Sequence, residues 1–69
     1  MTFGEAIIKL RSERRISQRQ LAEELNVSFT SVNRWENGRT MPNRMTVFVI
    51  RKYCEEYGLD FSYDEGVGT

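Results

Sequence analysis

The sequence predicts an all-α fold, a small bundle of four to five short helices with a short extended segment at its C-terminal end. Three observations carry that prediction. Apolar residues recur at three- and four-residue spacing along most of the chain. A serine, threonine or asparagine stands ahead of each such run, where a helix needs a cap. At 69 residues there is room for one compact domain with little stability to spare.

Thr2-Phe3-Gly4-Glu5 is a capping box, in which the threonine hydroxyl accepts from the Glu5 amide and the Glu5 carboxylate reaches back. Helix one therefore starts here, with Phe3, Ile7 and Leu10 on its apolar stripe, and ends near Glu13 or Arg14. Ser17 and Gln20 repeat the capping pattern for a second short helix with Leu21, Ala22 and Leu25 inward. It stops at Asn26, because asparagine tolerates the left-handed backbone of a sharp turn. Val27 points inward, Ser28 caps a third helix, and Val32 and Trp35 give that helix its buried side before Asn37-Gly38 ends it.

Arg39–Pro42 reads as a loop, and Asn43 caps a fourth helix running to about Tyr57, with Gly58 just past its end. Val47, Ile50, Cys54 and Tyr57 are expected to face the core. Leu59, Phe61 and Tyr63 then alternate with Asp60, Ser62 and Asp64, the period of a strand, which suggests an edge strand paired across a dimer. Residues 1–58 thus form the main domain, with a helix–turn–helix unit at 18–37. Residues 59–69 are an extended segment and tail, frayed over 66–69.

Composition excludes several functions. The chain has no histidine and one cysteine, Cys54, which falls on an apolar helical stripe and reads as a small buried hydrophobe. With no glycine-rich phosphate loop either, neither enzyme, metal nor cofactor is expected. The longest apolar run, Val47–Ile50, is far short of a membrane span, and the expectation is a cytoplasmic protein. Formal net charge is zero, but all ten basic residues lie between Lys9 and Lys52 against four acidic ones, a local net of +6. Residues 53–69 carry five acidic residues and no base. A basic body suits a polyanionic partner, although such charge also serves simple solubility.

The 18–37 stretch has what two helices crossing at a steep angle require: a small residue, Ala22, at the crossing, Asn26 in the turn, and Leu21, Leu25, Val27, Val32 and Trp35 behind both helices. The outer face of the second helix, Phe29, Thr30, Asn33 and Arg34, is left for a groove. The pattern Ser17-Gln18-x-x-Leu21-Ala22-x-x-Leu25-x-Val27-Ser28-x-x-x-Val32-x-x-Trp35-Glu36-x-Gly38-x-x-x-Pro42 resembles the Cro/C1-type (XRE) helix-turn-helix family, with Asn26 where that family usually has glycine. Thr46-Val47, Ile50, Glu55 and Gly58-Leu59-Asp60-Phe61 extend the resemblance to the C-terminal part of short stand-alone members.

The resemblance implies a lambda-repressor-like bundle that binds double-stranded DNA in a sequence-specific way as a small transcriptional regulator, a prokaryotic or phage repressor. The alternative is an antitoxin or accessory interaction protein with a protein partner, in which DNA binding is secondary. Gln18 would then touch a phosphate or a base, and Phe29, Thr30 and Arg34 would enter the major groove. Chemistry suits these roles: Arg34 can donate a bidentate pair to guanine, Thr30 can bond a base or meet a thymine methyl, Phe29 can pack on one, and Asn33 can reach an adenine or a phosphate. Phosphate contacts are expected from Arg15, Ser28, Asn37, Arg39 and Arg44. Each has an ordinary alternative: Arg34 as a solvated helical arginine, Phe29 folded back on the core, Ser28 as a cap alone. Arg14 and Arg19 read as solvent-facing. The resemblance also pairs Arg11 with Glu36 as a structural ion pair. Finally, Val49, Tyr53 and Tyr57 form a second stripe on helix four, flanked by Phe48, and with Phe61 they are candidates for a homodimer interface.

Overall fold

The structure, a computed structural model, describes residues 1–64. These residues fold into four helices, α1 (Phe3–Arg14), α2 (Gln18–Leu25), α3 (Phe29–Glu36) and α4 (Arg44–Glu56). Each begins at a capping side chain: Thr2, Ser17, Ser28 and Asn43 accept from the amides of Glu5, Gln20, Ser31 and Thr46. Thr2 and Glu5 complete a capping box, whereas Ser17 and Gln20 make only its first half. Both α1 and α2 end on a non-glycine residue in the left-handed region, Arg15 (φ 58°) and Asn26 (φ 61°).

One core joins all four helices. Phe3, Ile7 and Leu10 from α1, Leu21, Ala22 and Leu25 from α2, Val32 and Trp35 from α3, and Ile50, Tyr53 and Cys54 from α4 are buried together. Phe3 is its aromatic centre, edge-on to Trp35, Phe61 and Tyr63 at centroid distances of 6.0, 6.0 and 5.1 Å. Gly4 lets α1 reach α3: a Cβ there would lie 2.5 Å from the Trp35 carbonyl oxygen and 3.0 Å from that of Glu36.

Three expectations about the C-terminal half are corrected. Tyr57 does not face the core but is exposed, its ring tilted against that of Tyr53 (4.7 Å between centroids) and under the Arg14 guanidinium (3.8 Å). Tyr53 is unavailable to a partner because its side chain is only 7% exposed and its hydroxyl is bonded within the chain. Phe61 is likewise turned onto Phe3. Leu59, Phe61 and Tyr63 do alternate inward, but they form no strand; they cover their own core, and the Asp64 amide donates to the Met1 carbonyl (2.9 Å). The edge strand proposed across a dimer is thus replaced by a contact with the chain's own first residues. The expected fraying at 66–69 lies outside the described residues. No helix among the described residues is long and apolar enough to cross a membrane.

Candidate nucleic-acid interface

α2 and α3 are joined by a three-residue turn whose geometry the sequence dictates. Asn26 in the left-handed region lets the amides of Asn26 and Val27 donate back to Glu23 and Ala22, closing α2, while Val27 packs against the core. Ser28 then caps α3, its hydroxyl also bonded to that of Ser31 (2.9 Å). Val32 and Trp35 anchor the inner side of α3, which leaves Phe29, Thr30 and Arg34 exposed on the other side and Asn33 partly so.

Behind this face runs a chain of polar contacts that fixes α2 against α3. Arg11 forks onto Glu36 through Nε (2.6 Å) and Nη2 (2.9 Å) and donates its third contact to the Ile16 carbonyl (3.2 Å). Glu36 also accepts from Gln18 Nε2 (2.7 Å), Gln18 Oε1 accepts from Asn33 Nδ2 (3.3 Å), and Asn33 Oδ1 accepts from Asn37 Nδ2 (3.2 Å). The carboxylate holds the Arg11 pKa above its usual value, chiefly through the fork. One partly buried relay therefore spans α1, α2 and α3, and Gln18, Asn33 and Asn37 are oriented by it.

The other face residues differ in how they are held. The Phe29 ring is 40% exposed rather than folded into the core, with the Arg19 guanidinium 4.9 Å from its centroid. Among the described residues, Thr30 and Arg34 have no side-chain hydrogen bond or ion pair. Arg15, Arg39 and Arg44 are exposed, at the C-cap of α1, just past α3 and at the start of α4, and none of the three is ion-paired among the described residues.

A second polar cluster, not foreseen from sequence, ties α1, α2 and α4 together. Tyr53 donates its hydroxyl proton to Glu24 Oε1 (2.5 Å), while Arg14 reaches Tyr53 Oη (2.9 Å) and Glu24 (2.7 Å). Arg14 is therefore committed to the fold, not left facing solvent. Burial, then the Glu24 carboxylate, push the Tyr53 hydroxyl up to about 12, and hydrogen bonds from Tyr53 and Arg14 hold Glu24 below the usual range. No periodicity signals this cluster, because its members lie on three helices. Cys54 is buried, which pushes its thiol up to about 11 and keeps it protonated at neutral pH.

A family profile described as a helix-turn-helix domain matches residues 4–64. The chain is 40% identical over 53 residues to the HTH-type transcriptional activator BcrR of Enterococcus faecalis, an overlap covering 77% of this chain and 26% of that protein. It is 36% identical over 55 residues to the HTH-type transcriptional regulator DicA of Escherichia coli (strain K12), covering 80% and 41%. Multiprotein-bridging factor 1 of Candida glabrata is 36% identical over 44 residues, covering 64% and 29%. The chain thus spans about a quarter to two fifths of the length of these curated relatives. No solved structure matches the chain significantly.

Proposed function

The chain belongs to the helix-turn-helix domain family, of the Cro/C1 (XRE) type, and on that premise we propose that it binds double-stranded DNA sequence-specifically as a transcriptional regulator. The observation that carries this reading is the division of α3. Its inner side is locked by the core and by the Arg11–Glu36–Gln18 relay, and its outer side offers Thr30 and Arg34, whose side-chain donors are unspent among the described residues. A rigid helix with free polar side chains on one face is what base-edge readout in a major groove needs.

Within this reading the roles grade by how each residue is held. Arg34 and Thr30 read bases. Gln18 and Asn33, pre-oriented by their mutual bond, contact a base or phosphate with the atoms left over. Arg15, Arg39 and Arg44, with Ser28 and Asn37, meet phosphates at the rim. The function is binding without catalysis, exercised in the cytoplasm.

The reading includes a homodimer, which would set two α3 helices on half-sites about one turn of DNA apart. The supporting feature is the outward face of α4, where Met45 is 70%, Phe48 57% and Val49 40% exposed at i, i+3, i+4. Val49 and Phe48 of this face belong to the expected interface, whereas Tyr53 and Phe61 turn onto the core and Met45 is added. A second reading, an accessory protein that grips a different protein through the same α4 face, is favoured by Met45, a flexible side chain that adapts to varied partners.

Selection from random duplexes, followed by titration at several salt concentrations, tests DNA binding. The expected result is an enriched motif and an affinity that falls steeply with salt. An affinity without sequence selection or salt dependence would overturn it. Sedimentation at tens of micromolar tests the dimer, and a monomer there favours the second reading.

A further inference from the structure

Arg19 stands at the second position of α2, beside Gln18, and its guanidinium lies over the ring of Phe29, the first residue of α3. The Gln18–Asn33 bond places this first turn of α2 against α3, so the stacked pair sits at the edge of the outward face that carries Thr30 and Arg34. Arg19 differs from Arg11 and Arg14 in its donors, and from Arg34 in lying over an aromatic ring. Arg11 and Arg14 spend their donors on Glu36, Glu24 and Tyr53. Among the described residues, Arg19 has no hydrogen bond or ion pair, even with Glu23 one turn along. A guanidinium held on an aromatic ring is restricted in orientation, yet all its N–H donors point outward in its own plane. Such a fork suits a carboxylate, the O6/N7 edge of a guanine or a phosphate; at the rim of the face, beside rather than among the base-reading side chains of α3, the group it meets on a duplex is a backbone phosphate.

We propose that Arg19 contacts a DNA phosphate flanking the bases read by α3, and that Phe29 acts as the platform positioning it. Phe29 thereby serves affinity through Arg19 more than it reads a base. This rests on the DNA-binding reading above.

The test uses the full chain, its selected duplex and a scrambled duplex. Arg19→Gln should weaken binding to both duplexes by the same factor, about fivefold per protomer at roughly 0.15 M salt, and flatten the slope of log affinity against log salt by about 0.9. Phe29→Leu should weaken binding in the wild-type background and have no further effect in Arg19→Gln. Unchanged thermal midpoints would confirm that both variants fold. An unaltered salt slope in Arg19→Gln overturns the phosphate contact. A Phe29→Leu loss that is equal in both backgrounds and confined to the selected duplex overturns the platform role. If the wild-type chain binds no duplex, the DNA reading itself fails; if it binds and Arg19→Gln binds equally well, only this proposal does.

Discussion

Arg11 and Glu36 share two hydrogen bonds across twenty-five residues of sequence, and the two ends of that fork are unequally wet: 23% of the Arg11 side chain is exposed but only 6% of the Glu36 side chain. Glu36→Ala strands a cation that still has a route to solvent and leaves Gln18 Nε2 without its acceptor. We expect a loss of about 3 kcal/mol, the low end for breaking a buried pair. In a domain this size that lowers the thermal midpoint by roughly 12 °C or more. Arg11→Ala should cost more, since the stranded carboxylate is the drier partner. Thermal unfolding of both variants checks the order, and an unchanged midpoint in Glu36→Ala would refute the pair's structural role.

Gly4→Ala should destabilise the fold although alanine is the better helix former by about 1 kcal/mol. The new methyl carbon would sit 2.5 Å from the Trp35 carbonyl oxygen, a backbone atom that cannot swing aside. Forced separation of α1 from α3 costs about 1–3 kcal/mol. A raised midpoint would show that the two helices part cheaply.

Stability should fall on the alkaline side through Tyr53. Its folded pKa, about 12, lies above the ordinary value near 10, so the stabilisation is complete below pH 10 and lost as pH rises through 12. Cys54, raised to about 11, acts with the same sign from the ordinary thiol range upward. Glu24 is depressed, so its contribution is complete above the ordinary carboxylate pKa and lost as pH falls. Tyr53→Phe should cost about 1 kcal/mol at neutral pH, and its deficit against wild type should shrink between pH 10 and 12. Urea midpoints at pH 7, 9 and 11.5 measure this; a constant deficit would contradict it.

Arg34→Ala should leave the stability within about 0.5 kcal/mol of wild type, as an exposed residue with no side-chain partner among the described residues does. Discrimination at one base position should fall by about 1–3 kcal/mol. Thermal unfolding reads the first number and competition binding with single-base variants of the selected duplex the second; loss spread evenly over all positions would assign Arg34 to phosphate instead.

The helix starts were legible because each depends on a local cap, and Thr2, Ser17, Ser28 and Asn43 all cap within four residues of chain. The turn at Asn26 was legible for the same reason. Arg15 was not read as a left-handed terminator, because arginine carries no preference for that conformation; the Arg15 and Ile16 amides, donating to Ser12 and Arg11, hold it there. On α4, periodicity marked two apolar stripes and put Val47, Ile50, Cys54 and Tyr57 on the core side, whereas the bundle covers Ile50, Tyr53 and Cys54. That depended on Arg14 and Glu24 finding the Tyr53 hydroxyl, a contact between three helices that local pattern does not encode. The division of the outward face followed the same limit: its members were readable from spacing, but the Gln18–Asn33 bond and the Arg19–Phe29 stack arise only once α2 and α3 cross.

Trp35 is the chain's one tryptophan, and it lies 5% exposed on the inner side of α3, edge-on to Phe3. Its indole therefore emits from a dry environment on the far side of the helix from Thr30 and Arg34. Intrinsic fluorescence becomes a reporter of the core alone: a red shift signals that α1 has come away from α3. Titration with duplex should leave the emission maximum in place, so folding and binding can be followed by separate optical signals in one cuvette.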